Sequence, residues 1–133
     1  MIAVDTSALV AIVNAEPEAV RFTELIGTNS SIVSTATLLE THCVSMRWAG
    51  GMQPDRLKGV LDRLELIIAP FDAIQLEQAR VAYSTYGRGS AHPAGLNMGD
   101  CFAYALAKSR NVPLLFKGED FNHTDVEPAL KRG

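Results

Sequence analysis

Four short apolar runs constrain this chain most: "IAV" at 2–4, "SIVST" at 31–35, "LIIAPF" at 66–71 and "VPLLFKG" at 112–118. Each is too short for a helix; the first, ending at Asp5, reads as a buried parallel strand, and the other three read as further strands. The stretches between them carry helical spacing and helix punctuation. "TSALVAIVN" follows the first run with Thr6 or Ser7 as its cap, and "EPEAVRFTELIG" has Pro17 and acids in its first turn and Gly27 at its end. "ATLLETHCVSMRWAGG" runs to the double glycine at 50 and 51, and "QPDRLKGVLDRLE" places leucines 57, 61 and 64 at helical spacing. "DAIQLEQARVAYSTYG" is a long amphipathic helix with Ile74, Ala79 and Ala82 facing inward and Gly87 closing it; "RGSAHPAGLN" is a loop, and "LNMGDCFAYALAK" a buried helix capped by Asn97. Strands alternating with helices imply an α/β fold, a parallel sheet with helices on both faces.

The 133 residues suit a single domain spanning 1–133, with 47% hydrophobic and 20% charged residues. No apolar run approaches the roughly 18 residues of a membrane span. The start has no basic segment, and Asp5 interrupts its apolar stretch, so a secretory signal is not expected and the cytoplasm is. Cys43 and Cys101 lie far apart without a CxxC pair, as free thiols do in that compartment. A net charge of −3 gives no nucleic-acid footprint. Setting aside four acids gathered in one site leaves 11 acidic against 12 basic residues, a nearly neutral remainder that does not exclude a polyanion.

Ligands of open parallel sheets bind beyond the carboxyl ends of the strands. Asp5 ends the first strand, Glu40 lies in the first turns of the helix after the second, Asp100 lies in the first turn of its helix, and Glu119 and Asp120 follow the fourth strand. Each acid alone has an ordinary explanation: Asp5 as a cap, Asp100 as a helix-dipole acid, Glu40 as a solvated helix residue. Together they would repel and raise one another's pKa unless a cation lay between them. Oxygen donors without a Cys or His pattern suit Mg²⁺, with Mn²⁺ able to substitute. One or two such ions would activate water against a phosphodiester.

The blocks "IAVDTSALVAI", "TLLET", "LNMGDCFAYALAK" and "PLLFKGEDF" resemble those of PIN-domain ribonucleases, in particular the VapC toxins of bacterial toxin–antitoxin pairs, and span the chain from Asp5 to Phe121. The resemblance implies a three-layer α/β/α fold with four or five parallel strands in the order 3-2-1-4-5. It also implies Mg²⁺-dependent endoribonuclease activity, with tRNA or rRNA as candidate substrates, a homodimer, and neutralisation by a VapB-type antitoxin. Asp5, Glu40 and Asp100 match the family's acidic triad, as metal ligands and catalytic residues, and Ser7 its small hydroxyl beside the first acid. The fourth position departs from the commoner Thr-and-acid pattern, since this chain has "FKGED"; Asp120 is favoured over Glu119 for its shorter side chain beside Phe121, which should pack inward.

Arg88, His92, Lys117 and Arg110 are candidate substrate contacts at the same end of the sheet, and Tyr83, Tyr86 and Trp48 candidate stacking groups. Solvated charge and ordinary packing are the competing readings. His42, His92 and His123 lack zinc spacing, and no residue stands ready to activate Ser7 as a nucleophile. Two other functions remain open. A haloacid-dehalogenase-like phosphatase would use an Asp at the end of the first strand but wants a second Asp where Ser7 stands; a non-catalytic PIN-like module would bind RNA or a partner without cleaving.

Overall fold

The computed structural model describes residues 1–47 and 51–131. Its elements are β1 (Ile2–Val4), α1 (Thr6–Val13), α2 (Ala19–Thr28), β2 (Ser31–Ser34), α3 (Thr35–Arg47), α4 (Pro54–Arg63), β3 (Ile67–Ala69), α5 (Ala73–Tyr86), α6 (Met98–Arg110) and β4 (Leu114–Leu115). Short 3-10 turns lie at Arg88–Ser90 and Asp120–His123. The strands form one sheet in the order β3-β2-β1-β4, every neighbouring pair parallel. Among the described residues the fifth strand is reduced to an isolated parallel bridge between Leu114 and Pro128, where Leu114 N–H donates to Glu127 and Ala129 N–H donates to Leu114, both at 2.8 Å.

The pleat divides the core. Ala3, Ile32 and Leu114 point to the face covered by α5 and α6, while Ile2, Val4, Val33 and Leu115 point to the face covered by α1 and α2. Successive strand side chains alternate sides, so apolar runs of two to four residues fill both cores. This is the three-layer arrangement the sequence implies. Residues 103–107 of α6 (Ala103, Tyr104, Ala105, Leu106, Ala107) are all buried, since this helix is packed on nearly every side.

Several expectations need correction. Asp5, rather than Thr6 or Ser7, is the residue that caps α1, and α2 continues one residue past Gly27. Ile74 is 68% exposed, and Gln75 takes the buried place, its side-chain amide donating to the Pro70 carbonyl at 3.1 Å. Ile67 and Ile68 are exposed because β3 is the sheet's edge. Trp48 and Gly50 lie outside the described residues. No helix among those residues is long and apolar enough to cross a membrane. Cys43 and Cys101 are both free.

Candidate active site

Asp5 leaves β1 and immediately caps α1, which fixes its side chain at the carboxyl edge of the sheet. Its Oδ2 accepts the Ser7 N–H at 3.0 Å and the Ser7 hydroxyl at 2.6 Å. The direction of the second bond is settled by the partners. Ser7 Oγ itself accepts the Lys117 backbone N–H at 2.9 Å, and a carboxylate can only accept, so the hydroxyl proton goes to Asp5. All donors thus converge on Oδ2. Oδ1 is buried with no hydrogen-bond partner. Burial pushes the Asp5 carboxyl up to about 7, against the pull of the two Ser7 bonds and with further upward pressure from Asp100 and Glu40.

Asp100 occupies the third position of α6 and closes a capping box with Asn97. Its N–H donates to Asn97 Oδ1 at 2.8 Å, and its Oδ2 accepts the Asn97 N–H at 3.0 Å. The bland reading of Asp100 as a helix-start acid is therefore correct, and it coexists with proximity to the other acids. Partial burial raises its pKa, the Asn97 bond opposes that, Glu40 and Asp120 push it further up, and Arg88 draws it down. Glu40 reaches in from the second turn of α3. Its Oε1 accepts the hydroxyl of Thr6, and its carboxylate lies against Gly99, where a Cβ would come within 1.5 Å of Oε2.

The turn after β4 is looser. Gly118 has φ +106, a conformation open to glycine, and the chain then enters the 3-10 turn with Phe121 buried as its anchor. Asp120 is exposed yet close enough to act on Asp100; Glu119 accepts the side-chain amide of Asn122 at 3.0 Å.

The basic candidates divide. Arg88 sits near Asp100, its Nε donating to the Gly95 carbonyl at 3.3 Å. The Lys117 side chain is instead paired with Glu16 and Glu18, and its backbone N–H is what serves the acids, through Ser7. His92 packs edge-on against Tyr86, with ring centroids 4.9 Å apart, and its Nδ1 accepts the Ala94 N–H. Tyr86 also packs on Tyr104, so it belongs to the core, whereas Tyr83 is half exposed. Arg110 is at the far end of α6 from Asp100, about 15 Å away at 1.5 Å per residue, and does not belong to this edge. Thr6 and Gly99 were not singled out by the sequence as site residues. Their signal was adjacency to acids in "DTS" and "MGD", and a glycine inside a helix's first turn.

Among the described residues, no group of three His, Cys, Asp or Glu side chains is placed so that it could hold a metal ion as the chain stands. The donor chemistry nonetheless fits a hard divalent cation. It is all oxygen, Asp5 Oδ1 is bare and buried, and burial first, then the neighbouring acids, raises the pKa of Asp5 and Asp100. Mg²⁺ usually keeps several waters and takes only one or two carboxylates, so a complete cage is not required.

A PIN domain matches residues 2–127. The chain is 41% identical over 131 residues to Ribonuclease VapC28 of Mycobacterium tuberculosis, covering 97% of this chain and 98% of that one. It is 47% identical over 124 residues to Ribonuclease VapC30 of the same species, covering 92% and 94%. The fold is similar to that of M. tuberculosis VapC20, a toxin described as cleaving the sarcin-ricin loop, with a TM-score of 0.72 at 17% identity, covering 95% of this chain and 96% of that one. It also resembles Rickettsia felis VapBC2, solved with a promoter DNA fragment, with a TM-score of 0.70 at 16% identity and 96% of each chain covered. With acids gathered at the carboxyl edge of a 3-2-1-4 parallel sheet, the chain belongs to the PIN-domain family and, within it, to the VapC ribonucleases.

Proposed function

We propose that the chain acts as one PIN domain over residues 1–133, a divalent-metal-dependent endoribonuclease toxin that hydrolyses RNA phosphodiesters in the cytoplasm. Mg²⁺ is the ion the site would take, with Mn²⁺ as a substitute. The observation that carries this reading is the bare, buried Asp5 Oδ1 in the field of Glu40 and Asp100. An uncompensated buried carboxylate is costly, and a cation removes the cost. A bound ion of this class supplies a water of lowered pKa and charge stabilisation at a phosphate.

The chain's own residues have distinct parts. Asp5, Asp100 and Glu40 would supply the oxygens for the ion, directly or through its waters, and Ser7 occupies Asp5 Oδ2 so that the buried Oδ1 is left without a protein partner. Asp120, supported by its influence on Asp100, is the fourth acid; Glu119, engaged by Asn122, supports the turn. Arg88 is the basic residue best placed for an RNA phosphate, with His92 behind it in the same loop and Lys117 acting through its backbone. tRNA and rRNA are the candidate substrates. The partner is a VapB-type antitoxin, in keeping with the toxin–antitoxin complexes among proteins of similar fold, and the family resemblance adds a second copy of the chain. The phosphatase alternative is not favoured, because Ser7 donates to Asp5 where that chemistry needs a second carboxyl.

The test is cleavage of structured RNA by the purified chain across a chelator and metal series. Activity should vanish in excess chelator and return with Mg²⁺ or Mn²⁺, whereas Ca²⁺ should bind and support little turnover because its geometry is looser. Undiminished cleavage in excess chelator would overturn the proposal. Metal binding without cleavage of any RNA would favour a binding module instead.

A further inference from the structure

Glu40 reaches the acids from a helix that could place its flexible side chain in several ways, and two residues outside the acid set limit that choice. Thr6 Oγ1 lies within reach of two acceptors, Glu40 Oε1 and, at 3.4 Å, the Thr37 carbonyl. A hydroxyl has one proton, and the Glu40 contact is much the shorter, so that proton goes to the carboxylate. Behind it, Thr41 Oγ1 is 3.3 Å from Thr6 Oγ1 and donates to the Thr37 carbonyl at 2.8 Å. Thr37 and Thr41 are fully buried and Thr6 nearly so, which holds the Thr6 rotamer inside a packed wall between α1 and α3. On the other side, Oε2 and the carboxyl carbon of Glu40 occupy the space that a side chain at residue 99 would fill, with a Cβ only 2.2 Å from that carbon. Gly99 has no need of glycine for its backbone, since it lies within a regular helix.

We infer that Thr6 and Gly99 are positioning residues for Glu40: the Thr6 hydroxyl grips one carboxylate oxygen, and the missing side chain at Gly99 leaves the berth for the other. This rests on the reading of Glu40 as a metal-site acid. Neither residue touches the reacting atoms. They act by holding Glu40 beside Asp100 and Asp5, the kind of outer contact whose loss typically lowers metal affinity or activity by about 10–100-fold.

Thr6→Val keeps the shape and removes the hydroxyl, Thr6→Ser keeps the hydroxyl, and Gly99→Ala fills the berth. Three quantities are measured for each: the Mn²⁺ dissociation constant by calorimetry, the Mg²⁺ concentration for half-maximal RNA cleavage, and the metal-free Tm. Thr6→Val and Gly99→Ala should each weaken Mn²⁺ binding and raise the Mg²⁺ requirement by about tenfold. The metal-free Tm of Gly99→Ala should stay within about 3 °C of wild type, because the far end of a flexible side chain is all that moves, and Thr6→Val should lose a few degrees with its hydrogen bond. Thr6→Ser should restore wild-type behaviour. In a Glu40→Gln background neither substitution should add a further loss, since the group they position is already gone. Wild-type metal affinity in Thr6→Val and Gly99→Ala would overturn the inference, as would losses that add in full to that of Glu40→Gln, or failure of Thr6→Ser to rescue. If Glu40→Gln itself matches wild type in metal affinity and cleavage, it is the assignment of Glu40 to the site that falls, a result distinct from the others.

Discussion

Asp5 and Asp120 stand at the same edge of the sheet and are held in opposite ways. Asp5 is locked from every direction: its backbone N–H donates to Leu115 at 3.0 Å, its Oδ2 takes two donors from Ser7, and Ser7 is itself pinned by Lys117. Asp120 projects from an exposed 3-10 turn entered through a glycine, with the buried Phe121 beside it and the Asn122–Glu119 bond within the turn. The fold therefore fixes one carboxylate in place at considerable electrostatic cost and leaves the other free to adjust. On the proposed reading, a firmly held acid faces a more exposed one across the candidate site.

The largest effect should come from the rigid side. Asp5→Asn or Asp100→Asn should lower metal-dependent RNA cleavage by about 10³-fold or more, in keeping with loss of a central electrostatic group. Circular dichroism should show the fold intact, since Asn also caps helices. Equal cleavage by mutants and wild type would abolish the distinction between the two acids.

Next comes the device that orients Asp5. Ser7→Ala removes the 2.6 Å hydroxyl bond while leaving the backbone N–H in place. Cleavage should fall by about 10–100-fold, with a raised Mg²⁺ requirement. A mutant indistinguishable from wild type would mean that the capping geometry alone suffices to aim Oδ1.

The exposed side should respond least. Asp120→Asn should raise the Mg²⁺ concentration for half-maximal cleavage by about 3–10-fold, and Glu119→Gln should change it by less than twofold, a difference of roughly 1 kcal/mol. The reverse order would transfer the fourth position to Glu119. No change in either would leave a site of three carboxylates.

Much of this contrast was legible in the sequence because it is local. Asp5 follows an apolar strand and precedes a helix, and Asn97 with Asp100 three residues on is a helix-start pattern, so both acids could be placed from their neighbours alone. The parallel sheet was legible for the same reason. What escaped depends on distance across the fold. Thr6 meets Glu40 across 34 residues, and Gly99 meets it from another helix, contacts that no local spacing encodes. Lys117 looked like a phosphate ligand because its side chain's partners, Glu16 and Glu18, lie about a hundred residues away in sequence. Ile74 looked buried by composition, but the register set by the Asp72 cap turns Gln75 inward instead, with its amide satisfied by Pro70. Asp120 could be preferred over Glu119 only by side-chain length, since a tight turn at Gly118 undoes strand alternation.

Asp5 is an electrostatic liability in the metal-free chain, and the proposed cation would relieve it. With the carboxyl pushed from 3.8 up to about 7 in the folded chain, the folded state holds the extra proton between those values. The metal-free protein therefore loses stability as pH rises from about 4 to about 7, and the loss is complete above that window. The most direct measurement is thermal unfolding of wild type and Asp5→Asn at pH 8, with chelator and with excess Mg²⁺. Asp5→Asn should be more stable than wild type in chelator, by ~1–2 kcal/mol after allowance for its buried amide. Mg²⁺ should raise the wild-type Tm and leave the mutant unmoved, as neutralisation of Asp5 by the ion requires. A wild type that ignores Mg²⁺, or an Asp5→Asn protein less stable than wild type in chelator, would contradict this reading of Asp5.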